Sequence, residues 1–337
     1  LISNIDIHAL PDRILVAPLN WGLGHASRCI PLIRLLLDAG KTVQLASDGQ
    51  ALVFLRRAFP DLPYHELPAY DIQYKHSTIE KSILLQSIKI LSAIKREKKT
   101  TAQIIERENI ELIISDNRYG VRNDHVKSII ITHQIRLLSA YKFFGKPGTW
   151  LNKKWIQKFD ACWIPDYPES KLSGRMSSEK IGTPKIFIGP LTRIEKEILP
   201  TENEVLAIVS GPEPMRSRFA NKLFSMLAKQ SFSSIIIDGK VSDKIVKITT
   251  ANLTRYNFLD SEKLNKLINQ SKIIICRSGY SSIMDLCHMQ KKVVLVPTPG
   301  QTEQVYLAEY LNGNYGFKSI GEEELEKEFP LFIDRML

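Results

Sequence analysis

The chain has 337 residues, 44% of them hydrophobic, which supports two packed cores and excludes a disordered protein. Its 46 Lys and Arg against 36 Asp and Glu leave a formal charge of +10, which favours anionic partners: nucleotides, nucleic acid or an anionic membrane surface. Cysteines 29, 162, 276 and 287 lack paired spacing, the histidines are scattered, and no apolar run is long enough to span a bilayer, so a disulfide scaffold, a metal cluster and a membrane span are not expected.

Leu1 leaves room for residues upstream, and the first segment has no signal-peptide layout. Residues 13–19 predict a strand. The loop Asn20-Trp21-Gly22-Leu23-Gly24-His25-Ala26-Ser27-Arg28 follows and opens a helix that runs through Ala39 and stops at Gly40. Glycines there permit positive φ or close backbone approach. A histidine at a helix start, facing an expected cleft, suits a general base, and the helix N-terminus favours its neutral form. The other reading of His25 is a capping polar residue without chemistry. A dinucleotide site fits less well, because the spacing is not G-x-G-x-x-G.

Residues 42–46 predict a strand and 50–59 a helix. Residues 79–108 read as long helical material with Lys and Glu on the polar face, including Lys95-Arg96-Glu97-Lys98-Lys99. Buried strands are expected at 111–115 and 127–132, with Asp116 just past the first and His133 just past the second. Between 141 and 159, Lys142, Lys146, Lys153, Lys154 and Lys158 alternate with Tyr141, Phe143, Phe144, Trp150, Trp155 and Phe159. That pattern suits an anionic membrane surface, or an ordinary amphipathic helix. Shorter strands are expected at 161–165 and 185–188.

The order restarts after Gly189-Pro190-Leu191. Strands are expected at 204–210, 234–238, near 255–259 and at 272–276, with helices over 216–229 and near 264–269. Two successive β/α series predict an α/β protein of two doubly wound, Rossmann-like domains facing a cleft. The expected domains are residues 1–189 and 190–337, the last helix being free to pack back on the first. Residues 276–304 are the most informative stretch. The strand at 272–276 ends at Arg277-Ser278-Gly279, a helix bearing Asp285 follows, and a second strand ends before Gln301-Thr302-Glu303-Gln304. Two strand ends, a helix start and a carboxylate side by side suit a nucleotide diphosphate and its sugar.

Gly22-Leu23-Gly24-His25-Ala26-Ser27-Arg28 followed by Arg277-Ser278-Gly279 resembles the GT-B nucleotide-sugar glycosyltransferases. The nearest resemblance is to the bacterial lipid I N-acetylglucosaminyltransferase family of peptidoglycan synthesis and to related predicted glycosyltransferases. It covers most of the chain in architecture, but specific motifs cover only the first loop and residues 272–310. The resemblance implies that the first domain takes the acceptor and the second a nucleotide-diphosphate sugar, UDP-linked as the first choice. It implies inverting transfer without metal or cofactor, with His25 as base and Asp116 orienting its imidazole; a helix cap is the other reading of Asp116. Gly22 and Gly24 join the donor side through their amides.

Ser210 and Gly211 match the loop that touches donor phosphates, although Pro212-Glu213-Pro214 replaces the family's small residues and leaves a plain turn open. Phe258 matches the segment framing the base, with core packing as the alternative. Ser278 and Gly279 match the pyrophosphate-facing helix start, beside Arg277, whose fork suits the base or a phosphate. Asp285 stands where the family has a ribose-binding glutamate; a solvated acid is the other reading. Gln301, Glu303 and Gln304 match the contacts to sugar hydroxyls, or are surface polar residues. His133 and Arg28 are candidates for the acceptor. Gly-Leu-Gly-His-x-x-Arg-Cys also resembles the nucleotide-sugar hydrolase of pseudaminic acid synthesis, and a non-catalytic nucleotide-sugar binder is a third possibility. The expected setting is cytoplasmic, with peripheral contact to the inner face of an anionic membrane. No nucleic-acid motif accompanies the charge.

Overall fold

A computed structural model describes residues 4–70, 86–139, 142–240, 242 and 244–334. The part of the expected long helix at 79–85, and Tyr141, lie outside the described residues, as do the side chains of Lys142, Phe143 and Phe144. The chain divides into two compact units, Leu1–Thr192 and Arg193–Leu337.

The strands of the first unit are β1 (Arg13–Pro18), β2 (Thr42–Ser47), β3 (Tyr64–Glu66), β4 (Leu112–Asp116), β5 (Lys127–Ile131), β6 (Ala161–Ile164) and β7 (Lys185–Phe187). Its helices are α1 (Leu23–Asp38), α2 (Gly49–Ala58), α3 (Ser87–Glu108) and α4 (Lys142–Ile156). The seven strands form one sheet in the order β3-β2-β1-β4-β5-β6-β7, every pair parallel. Parallel strands are covered on both faces, so the central ones read as unbroken apolar runs: Ile14, Leu15, Val16, Ile113 and Ile114 are fully buried. The strand order reverses between β1 and β4, and a sheet of this kind opens its binding crevice beyond the carboxyl ends at that point. Pro18 stands opposite Asp116 in the register. The next amide, Leu19 N–H, donates to the Asp116 carbonyl at 2.9 Å. The loops after β1 and β4 are therefore tied together at their roots.

The second unit contains β8 (Asn203–Ile208), β9 (Ser234–Ile237), β10 (Lys247–Thr249), β11 (Leu253–Tyr256), β12 (Ser271–Cys276), β13 (Lys292–Leu295) and β14 (Phe317–Ser319). Its helices are α5 (Met215–Leu227), α6 (Ser261–Asn269), α7 (Tyr280–Leu286), α8 (Thr302–Tyr310) and α9 (Leu325–Asp334). The order is β10-β11-β9-β8-β12-β13-β14. Among the described residues only the exposed edge strand β10 is antiparallel to its neighbour. Here the order reverses between β8 and β12, which puts the loops at 209–214 and 277–279 beside each other. Sequence reasoning missed β3, β10 and β14, which have three residues each and only Tyr64, Ile248 and Phe317 as large apolar residues.

The last helix, α9, contributes to the core of its own unit. Leu325, Phe329 and Ile333, spaced four apart on one face, enter the second unit's own core with Val205, Phe219, Ile275 and Val294. Burying each such side chain is worth about 1.5–3 kcal/mol, which accounts for where α9 sits.

Gly239 follows β9 with φ +67°, and a Cβ there would lie 2.4 Å from the Val209 carbonyl oxygen. Its own carbonyl accepts Arg216 Nη1 at 3.0 Å, fixing the start of α5. Gly239→Ala is expected to destabilise the second unit by about 1–3 kcal/mol, read as a lower urea midpoint; an unchanged midpoint would contradict this.

Candidate active site

In the first unit, Gly22 turns the chain out of β1 with φ 79° and serves as the N-cap of α1. His25 is in the first turn of that helix. His25, Arg28 and Cys29 share one face through the i, i+3, i+4 spacing, and that face lies over the end of β4. Asp116 is fully buried there. His25 Nδ1 is 2.8 Å from Asp116 Oδ1. Arg28 Nε donates to Asp116 Oδ2 at 2.5 Å, Arg28 Nη2 donates to Oδ1, and the Cys29 thiol donates to Oδ2 at 3.6 Å.

The electrostatics follow from that burial. Desolvation alone would raise the Asp116 carboxyl, but Arg28 first and His25 second outweigh it and hold it well below the carboxylate range. Desolvation, aided by Asp116, pushes the Cys29 thiol well above its ordinary value, so it is an inert neighbour.

An ionised Asp116 accepts only, which assigns the proton to His25 Nδ1 and leaves the Nε2 lone pair available. Arg28 Nη2 lies 3.1 Å from the same Nδ1. On this assignment both are donors, and both aim at Asp116 Oδ1. The His25 side chain keeps 17% of its surface exposed while Asp116 has none, so the imidazole can reach a ligand and the carboxylate cannot.

Arg28 and His133, the acceptor candidates, are both buried beside Asp116. Arg28 is 2% exposed and His133 4%, and Arg28 Nη1 donates to His133 Nδ1 at 3.3 Å. The Asp116 charge draws the guanidinium inward, and Arg28 positions the carboxylate. His133 backs Arg28.

Sequence reasoning missed a second buried network beneath the glycine loop. Fully buried Arg118 donates from Nε to Glu97 Oε1 at 2.5 Å, from Nη1 to Asp48 Oδ1 at 2.6 Å and from Nη2 to the Pro68 carbonyl at 3.0 Å. Tyr70 and the Gly120 amide donate to Glu97 Oε2 at 2.7 and 3.1 Å. Asn20 Nδ2 donates to Asp48 Oδ2 at 2.9 Å. This ties the loop bearing His25 to β2, α3 and the loop after Asp116. The sequence offered one hint, a single acid, Glu97, in a basic run; that it lies four residues from both Ala93 and Thr101 on the buried face shows only in the fold.

In the second unit, Arg277 is held inside the fold. Its side chain is 1% exposed, pairs with Glu322 at 2.6 Å and stacks 3.6 Å over the Phe219 ring. It also donates to the carbonyls of Val296 and Pro297 at 3.4 and 3.3 Å. A buried guanidinium spends its donors inside the fold, and these partners are where the structure places the Arg277 expected beside a base or phosphate. Phe258 is likewise buried in the core, at 7% exposure.

Ser278 and Gln304 form a brace. The Ser278 hydroxyl donates to the Gln304 carbonyl at 2.8 Å, Gln304 Oε1 accepts the Thr298 amide at 2.9 Å, and Gln304 Nε2 donates to Gln301 Oε1 at 2.6 Å. This locks the start of α7 to the start of α8, where Glu303 sits half-buried in the first turn. Gly279 caps α7 and a Cβ there would meet open space. Gly211, with φ +108°, also faces open space. Asp285 Oδ1 accepts the Arg193 amide at 3.3 Å, and Oδ2 lies 3.8 Å from Arg193 Nε. Arg193, just past the Gly189-Pro190 joint, is a neighbour of Asp285 that sequence reasoning did not single out. Among the described residues no three His, Cys, Asp or Glu converge to hold a metal ion, and no described helix is long and apolar enough to cross a membrane.

Comparison with known proteins bears on both units. Residues 208–329 match the glycosyltransferase family 28 C-terminal domain. A protein of Methanosarcina acetivorans described as an uncharacterized glycosyltransferase is 23% identical, the match covering 87% of this chain and 81% of that protein. One of Methanopyrus kandleri is 21% identical over 78% of this chain and 79% of its own length. Among solved structures, the glycotransferase of kitacinnamycin superposes with a TM-score of 0.68 at 13% identity, covering 97% of this chain and 91% of that one. The MurG protein of Acinetobacter baumannii gives 0.54 at 14% identity, covering 96% and 91%. A spinosyn rhamnosyltransferase complexed with thymidine diphosphate gives 0.61 at 13% identity, covering 96% and 90%. The two-sheet fold is therefore GT-B.

Proposed function

We propose that this chain, a GT-B protein whose second unit matches the family 28 C-terminal domain, is a glycosyltransferase that moves a sugar from a nucleotide-diphosphate donor to an acceptor hydroxyl. The observation that carries the reading is the His25–Asp116 pair at the carboxyl ends of β1 and β4. The acceptor oxygen attacks the anomeric carbon as the bond to the diphosphate oxygen breaks. His25 Nε2 takes the acceptor's proton, and the buried Asp116 carboxylate stabilises the imidazolium. A single displacement inverts the anomeric centre. The route calls on no metal, because the backbone amides of the loops at Gly211 and Gly279 supply the groups that stabilise the leaving diphosphate.

On this reading Asp285 takes the donor ribose and Gln301 with Glu303 the sugar. UDP is the nucleotide we assign, from the resemblance to the lipid I N-acetylglucosaminyltransferases. Exposed Trp150, at 62%, with Lys154 Nζ 6.0 Å from its ring, supports peripheral contact with an anionic surface and a lipid-linked acceptor. Lys153, by contrast, is paired with Glu179 at 3.2 Å, and Phe159 is buried. The four cysteines are free and buried, which fits a reducing cytoplasm.

Calorimetry with a panel of nucleoside diphosphates tests the donor assignment. Asp285→Ala is expected to weaken the preferred diphosphate by about 2–4 kcal/mol, the worth of two charge-assisted hydrogen bonds. Unchanged affinity would leave Asp285 as a structural partner of Arg193.

A further inference from the structure

The first unit contains a cavity of about 450 Å³ that the transfer chemistry does not use. Its walls are one ridge of α3, the loop after β4 and the end of α4. Leu91, Ile94, Ala102, Tyr119 and Trp155 make it apolar, while Lys95, Lys98, Lys99, Arg122 and Lys158 make it cationic. Its volume lies in the range of small-molecule sites, about 300–1,000 Å³.

The charge is largely uncompensated. Asp124 pairs with Lys98 at 2.8 Å and with Arg122 at 2.7 Å. Glu97, beneath the cavity, is already committed to Arg118, Tyr70 and Gly120. Among the described residues no carboxylate pairs with Lys95, Lys99 or Lys158. Lys95 and Lys99 are one helical turn apart on the same ridge, so their ammonium groups can converge on one anion. A carboxylate would meet one of these three charges. A phosphate monoester, with a charge of about −1.5 to −2 at neutral pH, meets more of them. The apolar wall beside the lysines requires a substituent that is apolar too. Trp155 and Tyr119, with ring centroids 5.0 Å apart, give that wall a rigid aromatic surface.

We propose that this cavity binds an alkyl phosphate, its phosphate on Lys95, Lys99 and Lys158 and its chain against Leu91, Ile94, Ala102 and Trp155. The phosphate can come from a free amphiphile or from a lipid headgroup. Calorimetry with decyl phosphate below its micelle concentration tests the first source, with inorganic phosphate and decanol as the two half-ligands. Decyl phosphate is expected to bind more tightly than either half. Lys95→Gln with Lys99→Gln is expected to weaken it by about fivefold per lysine, and raised salt to weaken the wild type in the same direction. Ala102→Phe, which fills the cavity, is expected to abolish binding. Lys229→Gln with Lys272→Gln, a charge-matched control in the second unit, should leave affinity unchanged.

Co-sedimentation with phosphatidic acid vesicles against phosphatidylcholine vesicles tests the lipid source. Binding to phosphatidic acid alone, lost in the Lys95/Lys99 and Ala102 variants, assigns the headgroup as the ligand and supports the site. No binding of monomer or vesicle, or binding that these variants leave unaltered, overturns it. None of these readouts requires transferase activity, so the outcome is independent of the proposed reaction.

Discussion

Replacing His25 with Ala is expected to lower turnover by about 10²–10⁴-fold, the usual worth of a general base, while the nucleotide binds as before. The effect should fall on kcat. The donor's side-chain contacts are assigned to the second unit, the first adding only the Gly22 and Gly24 amides, and His25 is assigned only to the acceptor proton. The side chain is 17% exposed and holds its place through one bond to Asp116, so its loss leaves a small gap at the surface and no buried charge without a partner. A steady-state comparison of the variant and wild type, alongside calorimetry on the same preparations, separates the two quantities. Turnover near the wild-type value would remove His25 from the chemistry.

Asp116 couples that chemistry to stability. Removing it by Asp116→Ala strands the buried Arg28 guanidinium, and breaking a buried pair from one side costs about 3–5 kcal/mol. The urea midpoint of the first unit should fall accordingly. Asp116→Asn is the milder test. It keeps the shape but loses the charge that fixes the Nδ1 proton, so transfer should fall by about 10³–10⁴-fold, as for the analogous change in a Ser-His-Asp triad. The acid limb should change as well. The folded carboxyl titrates below its unfolded value of about 3.9. Its stabilising contribution is therefore full above that value and is lost as pH falls toward the folded one. The wild type should lose stability on that acid side more steeply than Asp116→Asn. Equal slopes would mean that Asp116 is not the charged partner of Arg28.

The sheet architecture was legible because buried parallel strands such as 112–116 and 272–276 are apolar runs closed by turn residues, and their ends place Asp116 and Gly279. Helix starts were legible where a positive-φ glycine precedes them, as at Gly22. Side-chain direction was not. Arg28, Arg277 and His133 have the residue types of ligand contacts, and nothing local shows that a buried carboxylate, an aromatic ring or a neighbouring guanidinium has already claimed them. The Glu97–Arg118–Asp48 network was hidden for a related reason: its members come from α3, the loop after β4 and the N-cap of α2, and only the tertiary fold assembles them. The cationic cavity likewise joins the lysines at 95–99 to Lys158, which is far from them in sequence.

The most direct test of the proposed transfer is to incubate the protein with isotopically labelled nucleotide sugars, with and without a cell lipid and metabolite extract, and to follow the label. The proposal predicts that label enters a new glycoside only when extract is present, that nucleoside diphosphate is released in equal amount, and that His25→Ala slows both by about 10²–10⁴-fold. Release of free sugar at the same rate without extract would contradict transfer and assign the site to hydrolysis, with water in place of the acceptor.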